Sequence, residues 1–95
     1  MNISKVKTYV GFAIKSKAIV YGLDQIKEKK VKVVLFDNSM SDSSKQSLVK
    51  VALKNECTYF EISPEEMFQL VGENKIKAFA ILNPDLAKAI ENNMY

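Results

Sequence analysis

Three places in the chain hold residue types that can do chemistry. They are Asp37 with the polar run DNSMSDSS at 37–44, the lone Cys57, and the adjacent acids Glu65 and Glu66. An acid at the end of a strand can hold Mg²⁺ or act as a nucleophile. A thiol can attack once a neighbouring base makes it a thiolate. Paired carboxylates can share acid–base work. Each has a plainer structural use. Asp-Asn-Ser is a turn whose side chains satisfy backbone groups. A single Cys beside a strand is a small core residue. Two acids in the first turn of a helix complement its dipole. The chain contains no histidine, which removes the commonest general base and metal ligand. Its glycines, at 11, 22 and 72, cannot form the usual phosphate-cradling loop. These residues lead us to expect no enzyme, no metal site and no cofactor.

Charge gives the stronger signal. The segment KSKAIVYGLDQIKEKK, 15–30, carries five lysines and two acids, a local excess equal to the +3 of the whole chain. All fourteen basic residues are lysine, so any anion is met by point charges and not by bidentate forks. Gly22 closes a short apolar run and opens a helical one, and a helix start can receive an anion. Lys15 and Lys17 lie just before that run, Asp24 and Gln25 follow Gly22 and Leu23, and Lys27 comes next. Polar side chains beside exposed N–H groups and lysines suit RNA contact. Lysines on a short exposed helix also serve solubility alone.

The elements that must position these groups follow from periodicity. Ile3, Val6, Val10, Ala13 and Ile14 recur at helical spacing over 2–16, with Ser4 placed to cap. AIVY at 18–21 reads as a short strand, and LDQIKEKK as two helical turns over 23–30. VKVVLF, 31–36, is apolar enough to be buried on both faces. A helix over 43–55 would bury Leu48, Val49, Ala52 and Leu53. CTYFEI at 57–62 and IKAFAIL at 76–82 are strands. Ser63-Pro64 and Asn83-Pro84 start the last two helices with a cap and a first-position proline. The fold class expected is α/β: a three-layer α/β/α sandwich with a central four-stranded mixed sheet, in one domain spanning 1–95. The apolar stretches fall short of a membrane span, the first residues do not read as a signal peptide, and one cysteine suits a reducing, cytoplasmic setting.

Four phrases carry a family resemblance: VGFAIKSKAIVYG, KVKVVLFDNSMSDSSKQSL, TYFEISPEEMFQLVG and KIKAFAILNPDLAKAI. Together they resemble the kink-turn-binding ribosomal protein superfamily of the large-subunit seven-A-e and thirty-e type, nearest to its small bacterial members. The resemblance implies an RNA-binding protein associated with ribosomes that recognises a kinked or internal-loop RNA. It places the grip at the start of the second helix, where Asp24 and Gln25 stand for the family's Asn-Glu and Lys27 stands roughly at its lysine. Lys17 and Gly22 fill the family's lysine and glycine positions, and a second contact loop maps to Ile62, Ser63 and Pro64. RNA-contacting residues are therefore expected at Lys15, Lys17, Gly22, Leu23, Asp24, Gln25, Lys27, Ile62, Ser63 and Pro64. The rival expectation is a module on the same fold that binds a protein partner and has lost RNA binding.

Overall fold

The structure is a computed structural model and describes residues 1–73 and 75–95. Its elements alternate: α1 (Ile3–Lys15), β1 (Ile19–Tyr21), α2 (Gly22–Lys27), β2 (Val33–Asp37), α3 (Asp42–Lys54), β3 (Thr58–Ile62), α4 (Pro64–Val71), β4 (Ala78–Ile81) and α5 (Pro84–Asn92). The strands form one sheet in the order β1-β4-β2-β3. β2 and β3 are parallel, and β4 runs antiparallel to both β1 and β2. The expected three layers are present. Val6, Val10, Ala13, Met67, Leu70, Ala87 and Ile90 pack one sheet face, and Ile26, Leu48 and Ala52 pack the other. β2 is buried along its whole length, as its continuous apolar run requires.

Local chemistry sets the helix starts. The Ser63 hydroxyl accepts from Glu66 N–H at 3.1 Å, and the Glu66 carboxylate accepts from Ser63 N–H at 2.9 Å. This closed box satisfies two donors that a helix start otherwise leaves open. Asn83 caps α5 by accepting from Leu86 N–H at 3.0 Å. α1 is capped by Asn2, which accepts from Lys5 N–H at 3.2 Å, and not by the expected Ser4. α1 and α3 end in the same turn, with Lys17 (φ 58°) and Glu56 (φ 54°) in the left-handed region. The N–H groups of Ala18 and Cys57 reach back to Ala13 and Ala52 at 2.8 and 3.0 Å, which satisfies helix-end carbonyls.

Three expectations about faces and lengths need correction. α2 starts at Gly22 and ends at Lys27, so it is six residues long and not eight. Ile14 and Leu53 stay in water, 41% and 66% exposed, although both share the helical period of buried neighbours. Ala13 and Ala52, one residue before them, are fully buried, so Ile14 and Leu53 lie on the flank of the buried stripe and not beyond its end. Val31 and Lys32 precede β2 instead of belonging to it, and Val31 N–H is bonded to the Asn55 side chain at 3.2 Å.

Candidate nucleic-acid interface

β1, β2 and β3 all point the same way and β4 opposes them. The sheet therefore has an upper end, where β1–β3 finish and β4 begins, and a lower end. This frame divides the ten expected RNA-contacting residues in two. Gly22, Leu23, Asp24 and Gln25 lie at the upper end of β1, and Ile62, Ser63 and Pro64 at the upper end of β3. β1 and β3 are the two edges of the sheet, so about three strand spacings of 4.7–4.9 Å separate these groups. Lys15 and Lys17 precede β1 at the lower end, and α2 runs back to bring Lys27 there too.

Much of the upper set is engaged in holding the fold. Ile62 is buried against α1 and α4, and its carbonyl accepts from Asn38 N–H at 2.8 Å. Ser63 spends both its hydroxyl and its N–H in the α4 cap. The Gln25 side-chain oxygen turns back to Tyr21 N–H at 3.2 Å. Gly22 adopts φ 78°, which a side chain would strain although the space beside it is open. Asp37, 3% exposed, accepts from the N–H and hydroxyl of Ser39, the turn its sequence allowed. Among the described residues, no group of three His, Cys, Asp or Glu side chains gathers as metal ligands.

The upper end is acidic. Asp24, Asp42, Glu65 and Glu66 occupy the first turns of α2, α3 and α4. Asp37 ends β2, and Glu73 lies near the Tyr21 phenol. Outside the Lys45–Glu61 ion pair, which also lies at this end, two lysines, Lys75 and Lys77, stand against these six carboxylates. Burial, then the charge of Glu73, pushes the Tyr21 hydroxyl above the ordinary tyrosine value. Three of these helices follow parallel strands, so their N-terminal dipole ends collect here and favour acids.

The lower end carries the opposite charge. Lys15, Lys17, Lys27, Lys29, Lys30, Lys32 and Lys54 are all exposed there, against Glu28, Glu56, Asp85 and Glu91, the last bonded by the Thr58 hydroxyl. Among the described residues the ion pair present is at the other end, between Lys45 and Glu61 at 2.9 Å. Five of the lysines surround one open depression of about 680 Å³ between the end of α2 and the end of α3. Lys27, Lys29, Lys30, Lys32 and Lys54 line it with Glu28, Val51 and Asn55. None of its lining side chains is aromatic. Cys57 lies close by; burial first, then Glu91, pushes its thiol up, and Lys32 lowers it in part. A raised thiol stays protonated at neutral pH and is a poor nucleophile.

Sequence reasoning found Lys15, Lys17 and Lys27 but missed Lys29, Lys30, Lys32 and Lys54 as members of one surface. Lys29 and Lys30 belong to the basic segment and carried that signal. Lys54 is more than twenty positions away and arrives only through the packing of α2 on α3. The Asn55 bond to Val31 N–H ties the two sides of the depression together.

No protein-family model matches the chain, and no curated protein does. Among solved structures, it is similar to a protein of unknown function from Bacillus halodurans. The two superpose with a TM-score of 0.81 at 11% identity, over 93% of this chain and 94% of the other. At that identity the likeness establishes the α/β sandwich fold and nothing about activity. Among the described residues, no helix is long and apolar enough to cross a membrane.

Proposed function

We propose that this protein binds structured RNA, ribosome-associated and of the kinked or internal-loop kind that the resemblance implies, in a cytoplasmic setting. The observation that carries the reading is the cluster of exposed lysines around the lower depression, which form no ion pair among the described residues. Each lysine that neutralises a phosphate releases a condensed counterion, so affinity comes from the number of such contacts. The absence of an aromatic lining speaks against stacked single-stranded bases. Paired RNA is recognised by shape and by backbone contacts, which point charges can supply. A kink folds two helical arms together and brings phosphates from both near one surface. The acidic upper end would repel the same backbone, which supports the lower end over Asp24 and Gln25 as the contact surface.

The second reading, a protein-interaction module, draws on one observation. Ile14 on α1 and Phe68 on α4, both exposed, line one shared groove, beyond the scattered single residues that a surface ordinarily shows.

Fluorescence titration of a kink-turn RNA and a straight duplex, each at two salt concentrations, separates the readings. The RNA reading expects tighter binding to the kinked RNA and a steep fall in affinity with salt. Equal, weak binding to both would count against it and in favour of the protein-interaction module.

A further inference from the structure

β3 is an edge strand, and its outer side is open: among the described residues it pairs with β2 and with no other strand. The direction of its backbone groups can be read from one bond. Ile62 C=O accepts from Asn38 N–H at 2.8 Å, beside the Asp37–Ile62 register pair. Ile62 therefore turns its N–H and C=O toward β2, as do Phe60 and Thr58 by the two-residue period. Tyr59 and Glu61 must turn theirs toward the open edge. These are the donors and acceptors of two hydrogen-bonded antiparallel residue pairs.

The side chains beside that edge are only partly covered. Tyr59, 41% exposed, stacks on Phe36 with ring centroids 6.1 Å apart. Tyr59, Phe36 and Val49 border a largely apolar groove of about 350 Å³, rimmed by Lys45, Gln46, Lys50 and Glu61. Leu53, one helical turn beyond Val49 on α3, is the most exposed aliphatic side chain among those of the core-forming elements, at 66%. Natural edge strands are usually blunted by charge, bulges or proline. Here Glu61 supplies a charge, but Lys45 already neutralises it in part.

We infer that this edge pairs with the β3 edge of a second copy of the chain, antiparallel, about a two-fold axis at Phe60. In that register Tyr59 lies opposite Glu61 of the second copy and Glu61 opposite its Tyr59. Both residues present outward backbone groups, so the hydrogen bonds are mutually satisfied. On the other sheet face the two Phe60 rings meet beside Tyr95, whose ring already packs edge-on against Phe60 at 5.7 Å.

Charge beside the edge favours this orientation. Antiparallel pairing sets the lower end of β3, where Lys32 and Lys54 stand with Glu56 and Glu91, beside Glu61, Glu65 and Glu66 of the second copy. Parallel pairing would place like ends together, which costs free energy. The polarity of each copy thus favours an antiparallel neighbour in a closed, self-complementary pair. The two lysine depressions would then lie at opposite ends of one eight-stranded sheet.

Sedimentation equilibrium of the full chain over a range of concentrations tests this, at low and high salt. The expected result is a reversible monomer–dimer equilibrium that weakens as salt screens the opposed ends. Glu61→Pro removes the outward N–H while leaving the bonds to β2 intact, because proline is tolerated on an edge. It should abolish the dimer with the circular dichroism spectrum unchanged. Leu53→Ser, at a position that contributes little to folding, should weaken the dimer several-fold. A chain that stays monomeric at every concentration overturns the inference. So does a dimer that persists in Glu61→Pro.

Discussion

Outside the Lys45–Glu61 ion pair, the upper end of the sheet holds six carboxylates against two lysines, and the lower end holds seven lysines against four acids. The helix dipole accounts for the sign at both ends: three helices start above, and α1, α2 and α3 finish below. It does not account equally for the numbers. Above, Asp24, Asp42, Glu65 and Glu66 stand in first helical turns, and Asp37 holds its own turn. Below, Lys15, Lys27 and Lys54 stand in last turns, where a cation is favourable. Lys29, Lys30 and Lys32 lie in connections, and Lys17 closes α1 through its backbone, a role that does not need its charge. The acids are largely explained by folding, while more than half of the lysines are not. A charge surplus beyond structural need is where a polyanion should bind.

The sharpest way to break this contrast is to remove the four connection lysines. Lys17, Lys29, Lys30 and Lys32 changed together to Gln should lower affinity for structured RNA on the order of 10²-fold at low salt. The salt dependence should become shallower by about one for each phosphate no longer neutralised, as a titration series would show. Thermal stability should move by no more than about 0.5 kcal/mol, the usual range for surface changes.

The converse applies above. Asp37→Ala leaves the Ser39 N–H and hydroxyl without their buried acceptor, and should cost about 1–3 kcal/mol in denaturant unfolding. RNA affinity should stay the same within error. Ser63→Ala opens the α4 capping box and should cost about 1 kcal/mol, again without changing RNA binding. A loss of RNA affinity in either variant that exceeds its loss of folding would shift the interface upward.

The smallest expected effect is on alkaline stability. Tyr21 above and Cys57 below both have folded-state values raised by burial. The unfolded chain then releases these protons first, so the native state binds more protons, and stability falls as pH rises through the ordinary thiol and tyrosine ranges. Below those ranges both groups are protonated in either state and contribute no slope. Tyr21→Phe and Cys57→Ala should each flatten the decline when melting is followed against pH.

The sequence carried the local parts of this structure well. Ser63-Pro64 and Asn83-Pro84 mark helix starts because a cap and a proline act within four residues. The alternation of apolar runs implied the layered sheet because each run must bury its face. What it could not carry was the meeting of distant segments. Ile14 and Leu53 keep the helical period of the core beside the fully buried Ala13 and Ala52, but only the tertiary packing decides how wide the covered stripe is. The basic stretch 15–30 reads as one surface around Gly22. In the fold a strand and a helix pass through its middle, placing Gly22 at one end and the lysines at the other. Lys54 joins those lysines only through tertiary packing, which no spacing rule encodes.

The most direct test is to follow the backbone amides of the ¹⁵N-labelled protein by NMR as a kink-turn RNA is added. Binding at the lower end predicts that Lys29, Lys30, Lys32 and Asn55 shift first and furthest, and that Gly22 to Gln25 and Ser63 stay nearly still. Shifts concentrated at Gly22 to Gln25 and Ser63, with the lysine depression silent, would contradict it.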